Sequence, residues 1–311
     1  MTRESPIPAE NARPRMQKAL VSVLIPTKNE ARNLPSTLEA LSWADQIIVF
    51  DSHSSDDTVE IAKRYGCEVS QRVFDNFADH KNWALQNLEF RNPWILILDA
   101  DEKIPAALAE EISAICLGAS SADAYYVARK ILVDGVWLKH AGKYPDYNIR
   151  LFRNGKARYE RRIVHEHMIA DGRIGTLKNH LVHIDAKGTY RYIERHNQYA
   201  EMEAVEAWIT LHSGPAVQSL GGVLRARRNE RRRLLKNFAY QYLPFRPILV
   251  FLYLYVFRLG FVMGQAGIKT CALRMFYEYI VDLYLEELKD PDSPVAVKYK
   301  GYIEERCASA R

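Results

Sequence analysis

The chain has 311 residues, of which 48% are hydrophobic and 26% are charged, and its formal net charge is +5. This composition indicates a globular protein of one large or two ordinary domains, and it excludes a largely disordered chain, a collagen-like repeat and a disulfide scaffold. The excess of positive charge is too small to indicate nucleic-acid binding by itself.

The four cysteines and the first 19 residues restrict the setting of the protein. Cys67, Cys116, Cys271 and Cys307 include no C-x-x-C pair, which argues against a zinc ribbon or a redox pair and favours a reduced, cytoplasmic setting. Residues 1–19 are polar and lack an apolar segment, so we expect a flexible leader and not a signal peptide.

Short apolar runs alternate with helical spacing through the first hundred residues. The pattern predicts four buried strands, at 21–26, 46–51, 68–70 and 94–99. It predicts helices at 33–43, 55–65 and 79–88, the second of them capped by Ser55. This alternation is typical of an α/β domain with a mostly parallel sheet and helices on both faces. Further strands are predicted at 125–128, 148–152 and 181–184, which extends the domain over 20–212.

Polar residues follow three of the predicted strands. These segments are Thr27–Glu30, Asp51–His53 and Asp99–Glu102. In a parallel sheet the carboxyl ends of the strands meet at one edge, where ligands bind. The sequence therefore predicts a carboxylate-rich crevice at this edge, and a row of ordinary polar turns is the alternative.

The glycine distribution limits how a nucleotide can be held there. No glycine precedes Gly66, which excludes a G-x-G-x-x-G loop, a P-loop and the glycine-rich loop of sugar-phosphate nucleotidyltransferases. Instead, Asp99 and Asp101 flank a single residue after a buried strand. Such a pair can hold Mg²⁺ or Mn²⁺, which would neutralise a diphosphate as it leaves.

Several of these segments resemble one enzyme family. The run 21–30, Asp51 with the 55–58 segment, and the run 98–102 resemble the first strand, the second strand with its helix cap, and the D-x-D motif of family 2 glycosyltransferases. Within that family, five short motifs resemble bacterial β-1,4-glucosyltransferases of the lipopolysaccharide core, and they extend the likeness to about residue 185. They lie at 81–84, 99–102, 144–146, 150–153 and 164–166.

The resemblance implies a GT-A fold and inverting transfer from a sugar nucleotide with Mg²⁺ or Mn²⁺. By this resemblance the end of the first strand and Asp51 would contact the base and ribose, and the third helix would lie near the donor. Asp99 would contact the ribose or sugar, and Asp101 with Asp99 would bind the metal. The residues that the resemblance assigns to the donor are Pro26, Thr27, Asn29, Glu30, Asp51, Lys81, Asp99 and Asp101. A plain turn and helix cap is the alternative for the first strand end, and a solvated helix face is the alternative for Lys81.

Inversion by direct displacement requires a general base on the acceptor side. Glu166 is the first candidate, because it follows a predicted strand, lies between two histidines and falls in the acceptor-side motif of the resemblance. Asp146 is the second, in a turn with Tyr144 and Tyr147, residue types that stack on sugars. The two remain alternatives.

Histidines and arginines supply further candidates. His165 is predicted to contact the nucleotide diphosphate. The alternative is a zinc site formed by His165, His167, His180 and His183. Arg150 alternates with apolar residues on a strand and is predicted to bind a phosphate of donor or acceptor, a surface ion pair being the alternative.

The C-terminal part is predicted to be helical and basic over 213–289, with a polar tail over 290–311. Residues 225–236 hold seven basic residues and one acidic residue, and 248–257 form an apolar run too short to span a bilayer. We expect these two segments to contact an anionic membrane surface. A core or homodimer helix, a solvated basic face and nucleic-acid binding are the alternatives, in that order.

The predicted function combines these features. We expect a metal-dependent, inverting hexosyltransferase on the cytoplasmic face of the membrane, which transfers glucose from UDP-glucose to a lipid-linked or lipopolysaccharide-type saccharide. A non-catalytic membrane scaffold that keeps the nucleotide-sugar fold is the alternative of a different class. A sugar-phosphate nucleotidyltransferase, whose glycine-rich loop is missing here, is the third alternative.

Overall fold

The computed structural model describes residues 18–118, 120–160, 167–184, 188–213, 238–240, 242–243 and 245–309. The strands are β1 Ala19–Thr27, β2 Ala44–Asp51, β3 Glu68–Gln71, β4 Trp94–Ile97, β5 Glu102–Lys103, β6 Ala124–Val133, β7 Val136–Trp137, β8 Asp146–Arg153, β9 Ala157–Tyr159, β10 Met168–Ala170 and β11 Ile174–His183. The helices that accompany them are α1 Leu34–Glu39, α2 Thr58–Arg64, α3 Phe77–Asn87, α4 Ala106–Leu117 and α5 Gly188–Ser213.

The main sheet combines a parallel half and a mixed half. Its strand order in the described chain is β3-β2-β1-β4-β8-β6-β11-β5, with β7 paired to β6. The strands β3, β2, β1 and β4 are parallel, β8 is antiparallel to both of its neighbours, and β11 is parallel to β6. The predicted α/β architecture is therefore confirmed, and the polar ends of β1, β2 and β4 lie side by side.

Both faces of the sheet are buried, and β4 shows this clearly. Trp94, Leu96 and Leu98 face the core formed with α1, α2 and α4, whereas Ile95 and Ile97 face the core formed with α3. Alternate side chains of a strand point to opposite faces, so an uninterrupted apolar run fits a sheet covered on both sides. This burial fixes the position of Asp99 and Asp101 just beyond the strand.

The helix after β2 begins differently from the prediction. It starts at Thr58, and Asp57 is its N-cap residue without a side-chain capping bond. The Asp56 carboxylate accepts hydrogen bonds from the Thr58 amide and hydroxyl, at 3.2 and 2.5 Å. The predicted Ser55 cap is therefore wrong, and the Ser55 hydroxyl and amide both donate to the Asn29 side chain, at 3.3 and 2.8 Å.

The predicted helical C-terminal region is confirmed by α6 Arg246–Leu252, a π-helical turn Tyr253–Phe257, a 3-10 turn Gly260–Met263, and α7 Gly264–Glu287. A further helix, α8 Pro294–Ser309, lies inside the predicted polar tail. The helices α5, α7 and α8 share an apolar core that includes Val205, Val281 and Val295.

The segment from α6 to the start of α7 forms a sharp bend, which we call the elbow and define as residues 245–263. Leu259 adopts a left-handed conformation (φ 56°) at the bend, where the two helical arms meet at 72°. None of the described helices is long and apolar enough to cross a membrane alone, whereas Arg246–Phe257 and Gly260–Glu287 together satisfy the length and composition for a bent span.

Candidate active site

The ends of β1 and β2 are joined by a hydrogen-bond network around Asp51. Its side chain is fully buried, and each carboxylate oxygen accepts two hydrogen bonds, from Thr27 and Ser54 on one side and from Ser54 and Gln71 on the other. Burial alone would raise the pKa of Asp51, but the Ser54 bonds and the other donors hold it below its ordinary value. Asp51 therefore organises this edge as an anion, and its predicted contact with a base stays a prediction.

The turn after β1 is rigid. Asn29 has φ 53° and its side chain accepts a hydrogen bond from the Ser55 amide, while the Glu30 amide donates to the Thr58 hydroxyl at 2.8 Å. Pro26 and Glu30 are half-buried along the same edge. These hydrogen bonds are the ones expected if the segment after β1 is only a turn and helix cap. They also fix the backbone of residues that are predicted to contact the donor.

A buried histidine supports the end of β2. The His80 ring lies between Ser52 and Arg72, with Nε2 at 3.1 Å from the Ser52 hydroxyl and Nδ1 at 3.2 Å from the guanidinium. An arginine can only donate, so Nδ1 accepts and Nε2 carries the proton. Burial, with the nearby Arg72 charge, lowers the pKa of His80 to about 4.

The end of β4 carries a buried ion cluster. The Arg150 guanidinium donates to Asp99 and to Glu102, both at 2.7 Å, and Glu102 is fully buried. Burial alone would raise the pKa of Asp99, but Arg150 and the other nearby cations hold it well below its ordinary value. Burial raises the pKa of Glu102 in spite of Arg150. Arg150 is thus paired with two carboxylates inside the site, and its predicted role as a phosphate ligand stays a prediction.

Arg129 extends this cluster toward the acceptor-side candidates. It forms an ion pair with Asp146 at 2.7 Å and lies 3.6 Å from Glu102. Asp146 is therefore a paired carboxylate at the start of β8 and not a free one. The sequence analysis missed Arg129 and Glu102; Glu102 adjoins the D-x-D motif, and only the register of β6 with β8 reveals Arg129.

Asp101 faces His183 across the site. The Asp101 Oδ1 and His183 Nδ1 atoms lie 3.2 Å apart, and both side chains are largely buried. Burial alone would lower the pKa of His183, but the Asp101 carboxylate raises it above its ordinary value. Although this nitrogen is buried, no described residue forms a well-aligned hydrogen bond with it.

Lys81 on α3 and Tyr199 on α5 interact electrostatically with the D-x-D carboxylates. The Lys81 ammonium lies 4.8 Å from the centre of the Tyr159 ring, and its charge contributes to lowering the pKa of Asp99. Burial raises the pKa of Tyr199, on α5, to about 12, and Asp99 and Asp101 add to this rise. Lys81 and Tyr199 therefore lie within electrostatic range of the D-x-D motif.

Two predicted residues, Glu166 and His165, lie outside the described residues, as does the basic run 225–236. The four-histidine zinc site finds no support among the residues that are described. His180 bonds the Tyr144 hydroxyl at 2.7 Å, whereas His183 faces Asp101.

The Asp101–His183 pair fits a divalent cation. Adjacent ligands of an octahedral Mg²⁺ or Mn²⁺ lie about 3 Å apart, close to the observed separation. In the described part of the chain, no group of three or more His, Cys, Asp or Glu side chains is arranged as a metal site. Two protein ligands suit a cation that takes the rest of its shell from phosphates and water. Asp99 is less suited, because Arg150 occupies one of its oxygens.

Comparison with known proteins gives the family. The model of glycosyl transferase family 2 matches residues 22–173. The lipopolysaccharide core biosynthesis glycosyltransferase LpsC of Rhizobium meliloti is 26% identical over 194 residues, which cover 60% of this chain and 71% of LpsC. A Rickettsia felis glycosyltransferase is 38% identical over 96 residues, and the chain spans about a third of its length (33%).

A solved structure is also similar. The mannosyltransferase PcManGT of Pyrobaculum calidifontis, in complex with GDP-mannose and Mn²⁺, aligns over 89% of both chains at 14% identity and a TM-score of 0.47. The match to the family model covers β1 to β10, which includes the three polar strand ends and the D-x-D motif. Residues 22–173 of the chain are therefore a glycosyl transferase family 2 domain.

Proposed function

We propose that the protein is a metal-dependent, inverting hexosyltransferase that uses UDP-glucose and acts on a lipid-linked or lipopolysaccharide-type saccharide. The observation that carries the proposal is the pairing of Asp101 with His183 at 3.2 Å, beside the D-x-D strand end of a family 2 domain. The similarity to LpsC supports the choice of acceptor class.

Different residues of the site have different proposed roles in sugar transfer. Asp101 and His183 would hold the cation, with Asp99 next to the donor sugar. Bound there, Mg²⁺ or Mn²⁺ would neutralise the diphosphate and so stabilise the nucleoside diphosphate as a leaving group. Arg150 and Arg129 hold the carboxylates of Asp99 and Asp146 in fixed positions, which limits reorganisation during the reaction.

Glu166 is proposed as the general base, and Asp146 as its alternative. The ion pair of Asp146 with Arg129 supports this order, because the guanidinium already occupies a carboxylate oxygen that an acceptor hydroxyl would need. Glu166→Gln should lower kcat by at least about a hundredfold with an unchanged Kd for the donor. If Asp146→Asn produces that loss and Glu166→Gln does not, the two roles are exchanged.

The donor and the metal are tested together with Asp101→Ala. We expect UDP-glucose to raise the Tm of the wild-type protein in the presence of Mn²⁺, and other sugar nucleotides to raise it less. Asp101→Ala should remove both this shift and transfer, while its far-UV circular dichroism stays unchanged. The exposed Asp171→Ala serves as the control. Full transfer by Asp101→Ala without added metal would contradict the metal role.

Membrane contact is proposed for the elbow together with residues 225–236. Large apolar side chains are exposed on the elbow, among them Phe245 (77%), Phe257 (76%) and Val262 (58%). Seven basic residues in 225–236 complement an anionic leaflet. The proposed setting is therefore the cytoplasmic face of the membrane.

Vesicle sedimentation tests this contact. The double variant Phe257→Ser, Val262→Ser should weaken binding to phosphatidylglycerol vesicles by about tenfold or more, because it loses two apolar side chains that would be buried in the bilayer. Val297→Ser is the matched control, since Val297 is equally exposed (59%) but lies on α8. Concentration-dependent dimerisation that the double variant abolishes, without vesicle binding, would favour the homodimer alternative.

A further inference from the structure

We infer that Lys143 and Arg274 form an anion site, between the catalytic edge and the elbow, that binds a phosphate group on an amphipathic acceptor. This inference rests on the proposed function and specifies the chemistry of its acceptor. We call these two side chains the seam cations.

The loop that carries Lys143 packs against the elbow. It connects β7 to β8, and the Ala141 amide donates to the Arg258 carbonyl at 2.8 Å. A Cβ atom on Gly142 would lie 3.1 Å from Leu254 Cδ2, so the backbone of this loop lies close to the Leu254 side chain. Lys143 is therefore next to the apolar surface of the elbow.

One of the seam cations, Lys143, has no bonded partner among the described residues. The Lys143 ammonium forms neither a hydrogen bond nor an ion pair with the described residues, although it is half-buried. Burial lowers the pKa of Lys143 to about 8, and the charges of Arg274 and Arg129 add to this effect. Arg274 pairs with Glu278, and Arg246, which shares that carboxylate, also pairs with Asp282. Asp146, the nearby acid, is already paired with Arg129.

The helix α5 connects this cluster to the catalytic edge. Lys143 and Arg274 both contribute to the low pKa of His196, which burial brings to about 4, so His196 stays neutral at pH 7. Asp99 and Asp101 influence Tyr199, three residues further along the same helix. Three residues of α-helix span about 4.5 Å. This part of α5 therefore lies within electrostatic range of the seam cations at His196 and of the D-x-D carboxylates at Tyr199.

Three kinds of surface follow one another in this order: the catalytic carboxylates, the seam cations and the exposed apolar elbow. A saccharide joined through phosphate to a hydrocarbon anchor presents a hydroxyl, an anion and an apolar chain in the same order. Lysine and arginine are the side chains that bind phosphate oxygens with charge-assisted hydrogen bonds. A phosphate on the acceptor would supply the partner that Lys143 lacks in the described residues.

Equilibrium binding of dodecyl phosphate, measured by isothermal titration calorimetry on the full chain, tests the site. Dodecyl maltoside has the hydrocarbon chain without the phosphate and measures the contribution of the hydrocarbon. Inorganic phosphate measures the contribution of the anion alone. We expect dodecyl phosphate to bind more tightly than either probe. Lys143→Met and Arg274→Gln should each weaken it by about tenfold, as for one charge-assisted hydrogen bond. Lys139→Met, in the same loop but stacked over Trp137, is the matched control and should bind normally.

Two results would overturn the inference. Unchanged affinity of Lys143→Met for dodecyl phosphate would exclude a phosphate contact, and an equal loss of UDP binding with Mn²⁺ would assign the cations to the donor diphosphate. These titrations require no turnover. A wild-type protein that binds dodecyl phosphate through Lys143 but binds no sugar nucleotide would refute the proposed function separately from the anion site.

Discussion

Replacement of Arg150 by methionine tests the ion cluster at the centre of the site. The variant keeps the length and apolar stem of the side chain but removes the guanidinium that joins Asp99 to Glu102. Two carboxylates would then lie close together at the end of β4, one of them fully buried, without the cation that bridges them. The strand packing should survive, because β8 remains paired with β4 and β6.

The expected cost follows from the burial of the partners. Breaking a buried ion pair by removing one member costs about 3–5 kcal/mol, because the remaining charge is left uncompensated. Asp99 is partly exposed (35% of its side chain), so solvent screens its share, and Glu102 accounts for most of the loss. We therefore expect the free energy of unfolding to fall by about 3 kcal/mol at pH 7.5.

The pH dependence identifies the cause. Without Arg150 the folded-state pKa values of both carboxyls rise above their unfolded values, so the folded variant binds more protons than the unfolded chain. Its stability must then increase as the pH falls. Urea unfolding at pH 7.5 and pH 5.5 should show a deficit that shrinks at the lower pH, and Glu102→Gln in the same chain should recover part of it.

The control is Arg158→Met, which removes an exposed arginine paired with the exposed Asp171. It should cost less than about 1 kcal/mol at either pH. A loss below about 1 kcal/mol in Arg150→Met, or a deficit that is the same at both pH values, would refute the assignment of a charged, buried cluster.

Two further predictions concern stability away from the ion cluster. The folded-state pKa of His80, about 4, lies below its ordinary 6.5, so the stability it contributes is complete above pH 6.5 and is lost as the pH falls toward 4, by up to about 3 kcal/mol. His80→Gln should flatten the acid limb of the stability curve over that range, and an NMR titration that protonates His80 near pH 6.5 would contradict this. Gly267→Ala would place a methyl group 1.9 Å from the Gly260 carbonyl oxygen and should lower the free energy of unfolding by about 1–3 kcal/mol in urea titrations. Gly301→Ala, in open space on α8, should instead add about 0.5–1 kcal/mol, and equal effects of the two substitutions would show that the close approach is absent.

The sheet and its polar edge were predictable because they depend on local sequence. Each central strand is an apolar run followed by polar residues, and parallel strands place those residues together whatever the lengths of the connections. The helix α8 also has a local signal that the prediction of a polar tail missed. Val295, Tyr299 and Tyr302 follow the i, i+4, i+7 spacing, and all three pack on the α5–α7 core.

The contacts inside the site were not predictable in the same way, because they depend on strand register. Arg150 meets Asp99 across 51 positions of sequence, and it does so only because β8 pairs antiparallel with β4. Arg129 meets Asp146 through the pairing of β6 with β8. From the sequence, Arg150 is a candidate phosphate ligand or ion-pair partner and Asp146 a candidate base, since an isolated motif does not reveal which charges are already neutralised.

The elbow connects the two halves of the chain where an acceptor would enter. Its Arg258 carbonyl holds the Ala141 amide, and Lys269 of α7 pairs with Asp134 at 2.8 Å, on the turn between β6 and β7. The connection from β6 to β8, which ends at Asp146, is therefore positioned by the C-terminal helices. If the elbow docks on lipid, docking and acceptor alignment depend on the same contacts. A substitution that loosens them, such as Gly267→Ala, should then raise KM for a membrane-bound acceptor more than KM for the donor, and equal changes in both would separate the two functions.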